Sequence, residues 1–139
     1  MELTENEKKK LFLKSYMQAK NDVFRLEMQL AELRLNKLTP SMVSDDGMPH
    51  ASGISDLSDY AARVDELERE LLQKRYRRIR AFKKVQAAIE RLENEQEKDL
   101  LTYRYLKGYS WEKIAVEMGY TYRHVTRLHG EALKNFKMS

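Results

Sequence analysis

The chain has 139 residues, 35% of them charged and 42% apolar, with a formal net charge of +4 and no cysteine. The missing cysteines exclude a disulfide framework, a thiolate metal site and a cysteine nucleophile. No apolar run approaches the ~18 residues of a membrane helix, and the acidic start Met1-Glu2-Leu3-Thr4-Glu5 has no signal-peptide core. A cytoplasmic protein of one domain, or two small ones, is expected. A pI near 9.2 permits nucleic-acid binding without demonstrating it. With only five Gly and two Pro among many Leu, Glu, Lys, Arg, Ala and Gln, the composition suits long helices and predicts an all-α fold.

Thr4 with Glu7 three residues later has the form of a capping box, so a first helix is expected from about residue 4. Phe12, Tyr16, Ala19, Val23, Leu26, Leu30 and Leu33 then recur at alternating spacings of 4 and 3, the seam of a coiled coil. The helix should reach about Leu38, a length of about 50 Å at 1.5 Å per residue. Thr39-Pro40 ends it. Residues 39–55 hold both prolines and a Ser/Asp cluster and read as a loop.

A second helix is predicted over 56–93, starting at Ser55 or Ser58 with Asp56 and Asp59 in its first turn. Its seam runs through Tyr60, Val64, Leu67 and Leu71 and resumes at Ile79, Phe82, Val85, Ile89 and Leu92. The gap suggests a stutter. Two seamed helices joined by a loop fold back most simply as a long antiparallel hairpin, giving a first domain over 1–93. Such a hairpin has a thin core, and pairing with another copy would bury the remaining apolar surface. A homo-oligomer is therefore expected, with a dimer favoured. The polar stretch Glu90–Asp99 lacks Gly and Pro and reads as a helical junction with a small bend.

Lys74, Arg75, Arg77, Arg78, Arg80, Lys83 and Lys84 place seven cations in eleven residues, with no acid from Leu71 through Ile89. A hairpin with residue 38 near 56 pairs positions adding to about 95, and sets this run beside residues 11–21. Those are flanked by Lys8, Lys9, Lys10, Lys14 and Lys20. Phosphates are the expected counter-charge, with Lys74, Arg75, Arg77 and Arg78 touching the DNA backbone. Acids of another subunit are the plainer alternative.

Residues 97–139 form a second predicted domain. Leu100, Leu101, Tyr105 and Leu106 supply one apolar stripe. Ile114, Ala115 and Met118 supply another, and Val125, Leu128, Leu133 and Phe136 a third. Stripes this short can bury themselves only against one another, as a tri-helical unit. Lys107-Gly108 closes the first helix, Ser110 can cap the second, Gly119 makes the tight turn and Thr121 can cap the third. That is a helix-turn-helix layout, whose last helix enters the major groove. Tyr122, Arg123, His124, Thr126 and Arg127 occupy its first two turns, where Arg suits bidentate bonding to guanine and Tyr can lie against a thymine methyl. Lys113, His124 and Thr126 are expected at phosphates. A solvated charged face is the bland alternative. His124 and His129 do not share a helix face, so a metal pair is not expected, and ordinary polar surface fits both better. Trp111 and Tyr109 are expected to pack the tri-helical core or cover its edge.

The run Arg104-Tyr105-Leu106-Lys107-Gly108-Tyr109-Ser110-Trp111-Glu112-Lys113-Ile114-Ala115, then Met118-Gly119-Tyr120-Thr121, Val125 and Ala132-Leu133-Lys134, resembles region four of bacterial sigma factors. It departs from that family at Lys113, where a Glu is usual. Gly47-Met48-Pro49 through Gly53 and Asp56-Leu57-Ser58-Asp59-Tyr60 resemble small sigma-like proteins of Gram-positive prophages, related in layout to RinA- and ArpU-type late-gene regulators. The resemblance implies base contacts at Tyr122, Arg123 and Arg127, double-stranded DNA as partner, and contact with host RNA polymerase. The function it implies is a phage or prophage sequence-specific DNA-binding regulator of transcription, a sigma-like activator. The rivals are a small-terminase-like packaging factor and a polymerase-binding adaptor that does not bind DNA. No Gly-rich phosphate loop, Ser/His/Asp set or carboxylate cluster of metal-ligand spacing occurs, so neither catalysis, cofactor, metal nor small-molecule substrate is expected.

Overall fold

Thr4 and Glu7 form a reciprocal cap: Glu7 N–H donates to Thr4 Oγ1 at 3.2 Å, and Thr4 N–H donates to Glu7 Oε2 at 2.9 Å. This fixes the start of α1, which spans Glu5–Leu38. A computed structural model of the chain describes residues 2–38 and 52–138, with side chains at 2–36 and 56–138. The remaining elements are α2 (Ser52–Glu90), α3 (Glu95–Leu101, continued by a π-helical turn, Thr102–Leu106), α4 (Trp111–Met118) and α5 (Tyr122–Asn135). The fold is all-α, with a long N-terminal helical hairpin. No described helix is long and apolar enough to cross a membrane.

Two boundaries differ from expectation. Helix α2 is already formed at Ser52, so Asp56 and Asp59 lie beyond its first turn; most of the predicted loop, residues 39–51, falls outside the described residues. The junction over 90–99 is a true break. Helix α2 stops at Glu90, and Asn94 restarts the chain by accepting the Glu97 N–H at 3.0 Å. The short Asn side chain takes up a free N–H of the new helix and so caps it.

The chain divides into two compact units, Asn21–Tyr76 and Met1–Lys20 with Arg77–Ser139. In the first, Val23 and Leu30 of α1 bury against Leu67 and Leu71 of α2, with Leu26, Leu33 and Val64 alongside. Ion pairs Glu27–Arg75, at 3.3 Å, and Arg34–Glu68 fix an antiparallel register in which paired residue numbers add to 102. The expected sum of about 95 assumed that residue 38 lies level with residue 56; in the observed register α1 pairs with a stretch of α2 about seven residues further along.

In the second unit one core holds Leu13 of α1, Val85, Ala88 and Ile89 of α2, and Leu100, Leu101, Tyr105, Ile114, Val125, Leu133 and Phe136 from the C-terminal helices. The three C-terminal stripes therefore do not close on themselves. They need apolar cover from both long helices, and the predicted division near residue 95 does not coincide with the compact units. Lys9 of α1 ties in the end of α5 by donating to the Leu133 carbonyl at 2.8 Å, a cation meeting the orphan acceptors of a helix C-terminus.

Burial in α2 continues through the apparent gap at Leu71, Lys74 and Arg78 and then widens: Ala81 and Phe82 are half-buried and Val85, Ala88 and Ile89 buried, so the seam does resume at Phe82, Val85 and Ile89. Ile79, assigned to the seam, is 49% exposed. The apparent gap arose because two seam positions are cationic: Lys74 and Arg78 are half-buried and lay their methylene stems along the helix surface.

Candidate nucleic-acid interface

Helix α4 begins where Ser110 Oγ accepts the Lys113 N–H at 3.2 Å. It ends at Gly119, whose φ of 70° lies in the left-handed region. Two residues later Thr121 Oγ1 accepts the His124 N–H at 3.1 Å and opens α5. The turn is thus 119–121, as read from the sequence. Each cap satisfies one of the four free N–H groups of a helix start. Val125, Ala132 and Leu133 point inward from α5 and are buried, which fixes the rotation of the helix.

That rotation turns Tyr122, Arg123, Thr126 and Arg127 to solvent. The guanidinium groups of Arg123 and Arg127 make no hydrogen bond or ion pair among the described residues. Like charges four residues apart on a helix cost a few tenths of a kcal/mol, so internal stability gives no reason for the pair. Thr126 is outward too, but its hydroxyl donates to the Arg123 carbonyl at 2.9 Å and is engaged within the helix. His124 is half-buried, edge-on to the Tyr120 ring at 4.4 Å, so only part of it faces outward.

On the α4 side, Lys113 is exposed and lies with Nζ 4.1 Å from the Tyr109 ring centroid. Tyr109 stacks on Tyr103 at 5.5 Å, and Lys107 lies 5.3 Å from the Tyr103 ring. This half-buried tyrosine pair holds two lysines near the start of α4 by cation–π attraction.

The structure also assigns work to residues the sequence reading passed over. Arg104 donates to the Tyr109 carbonyl at 3.0 Å and lays its guanidinium 4.3 Å from the Trp111 ring. His129, read as ordinary polar surface, is half-buried, 2.8 Å from the Tyr105 hydroxyl and edge-on to Trp111 at 4.7 Å. Burial, and then the nearby Lys10, Arg104 and Lys14 charges, lower its pKa to about 4. The Tyr105 hydroxyl is pushed up to about 12, chiefly by burial. Nothing in helical spacing reveals this pair, because it joins α5 to the π turn. Glu97 is buried and accepts both Asn135 amide bonds, at 3.0 and 3.1 Å.

The basic run of α2 is sorted by its partners. Arg75 is paired with Glu27 at 3.3 Å, so one of the expected phosphate ligands has an internal counter-charge. The register explains this: residue 75 lies beside 27, not beside the lysine-rich 11–21. Lys74, Arg77 and Arg78 have no ion pair among the described residues, and Arg77 is the most outward of the three. Among the described residues no group of three or more His, Asp or Glu is placed to hold a metal ion. Comparison with family models, with curated proteins and with solved structures finds no match for this chain.

Proposed function

We propose that this chain is a sequence-specific regulator of transcription of phage or prophage type, sigma-like in its C-terminal helices, that binds double-stranded DNA and acts beside host RNA polymerase. The observation that carries the reading is the outward placement of Arg123 and Arg127, without an ion pair among the described residues, on a Thr121-capped helix that follows a three-residue Gly turn. Four residues advance a helix by about 6 Å, a little under two base steps of about 3.4 Å. Two guanidinium groups at that spacing can each address a guanine edge in one major groove. Tyr122 at the helix start is placed for a thymine methyl or a phosphate. Lys113 and Lys107, near the start of α4, offer contacts to the DNA backbone. His124 contributes less, being packed on Tyr120.

Lys74, Arg77 and Arg78 of α2, which have no ion pair among the described residues, supply non-specific attraction to phosphates in this reading. The test is footprinting of the full chain on genomic fragments from its host. One protected site is expected, lost in the double variant Arg123→Ala/Arg127→Ala while helicity is kept. Protection unchanged in that variant, or no protected site with polymerase still bound, would overturn it in favour of a DNA-independent adaptor.

A further inference from the structure

Among the described residues of the unit Asn21–Tyr76 the hairpin core buries four apolar side chains, and others of equal size are exposed. On α1, Phe24 and Met28 are 59% and 48% exposed. Met28 lies two residues from both Leu26 and Leu30 of the buried seam, about 200° of rotation away, so it faces outward from the hairpin. Ala31 and Leu35 continue the same spacing of 3 and 4. On α2, Leu72 and Tyr76 are 68% and 64% exposed at the same interval. Helix α1 therefore carries a second run of apolar residues at coiled-coil spacing on its outer side, and α2 an exposed apolar pair at the same interval, which form the outer seams of the two helices.

We infer that the outer seam of α1 docks onto the outer seam of α2 in a second copy of this chain. Three observations select that occupant. The spacing asks for a helix. The register in which paired numbers add to 102 puts Leu72 and Tyr76 level with residues 30 and 26, the height of Phe24 and Met28. A rotation about an axis parallel to the hairpin thus brings the two seams together without a vertical shift. Charge agrees: Glu32 beside the α1 seam and Arg69 beside the α2 seam stand at nearly equal height, and neither has an ion pair among the described residues. In the docked pair they meet. A symmetric α1–α1 contact would leave the α2 seam uncovered and set Glu32 against no cation of that seam. The α1–α2 contact is heterologous, so it repeats, and rotation closes it into a ring of copies. It is independent of the DNA-binding reading.

The native chain has no cysteine, so single-cysteine variants report the contact directly. Full-length Met28→Cys and Leu72→Cys are each oxidised alone and as an equal mixture. A disulfide yield at least several-fold higher in the mixture is expected, with assemblies larger than a monomer in sedimentation velocity of the parent chain. Phe24→Glu with Leu72→Glu should reduce those assemblies to monomer at unchanged helical circular dichroism. Cross-linking of Met28→Cys with itself as efficiently as with its partner, or a parent chain that sediments as a monomer, overturns the inference.

Discussion

The Tyr105 hydroxyl and His129 Nε2 lie 2.8 Å apart at the back of α5, on the side opposite its outward arginines. Because the folded imidazole takes up a proton only near pH 4, it is neutral at pH 7, while the unfolded chain titrates near the ordinary 6.5. Between these values the unfolded state binds more protons. Stability from the neutral ring is therefore complete above about pH 6.5 and is lost as pH falls towards 4. The slope is at most about 1.4 kcal/mol per pH unit for one proton, and less here because the ring is only half-buried and solvent screens it. Urea titrations at pH 7 and pH 5 should show the parent chain weakening more than His129→Gln. Equal losses in both would remove His129 as the cause.

Gly108 closes the π turn at φ 73°, and a Cβ there would meet Met17 Cε at 2.8 Å. Gly108→Ala should cost about 1–2 kcal/mol from the left-handed backbone alone, with the flexible Met17 tip moving aside. Gly130 is the contrasting case. It lies inside α5, and an added Cβ meets nothing within 4 Å. Gly130→Ala should raise stability by about 0.5–1 kcal/mol. Thermal unfolding of the two variants should move in opposite directions.

Asn135 holds the buried Glu97 carboxylate with both amide contacts. Asn135→Ala leaves that carboxylate without its partner and should cost about 1–3 kcal/mol. Asn135→Asp should be worse, since it sets a second carboxylate about 3 Å from the first. A chemical-denaturation midpoint for Asp equal to or above that for Ala would contradict the contact.

Lys74→Gln/Arg77→Gln/Arg78→Gln should flatten the dependence of log affinity on log salt by up to about 2.7, at about 0.9 per phosphate contact. The preferred DNA sequence should stay the same. Arg75→Gln should leave that slope nearly unchanged, because Arg75 is committed to Glu27. Salt titrations on one duplex separate the two outcomes.

Much of the candidate interface was legible because its determinants are local. Thr4, Ser110 and Thr121 each bond an N–H three residues away, a distance set by the helix itself. Gly119 adopts the left-handed conformation that follows from its missing Cβ. Periodicity alone placed Val125 and Leu133 inward and Arg123 and Arg127 outward. Leu13 was missed because it lies beside the chosen seam residue Phe12; in a core shared by α2 and the C-terminal helices it is the more buried of the two.

By itself the amino-acid order determined the helical class, the caps, the three-residue turn and the outward face of α5, since each depends on contacts within about four residues. Tertiary structure alone decided the hairpin register, the pairing of Arg75 with Glu27, the burial of His129 against Tyr105 and the dependence of the C-terminal helices on α1 and α2. Those properties join residues 24 to 124 positions apart. At such separations a side chain's partner is selected by how whole helices pack, and helical spacing carries no record of that choice.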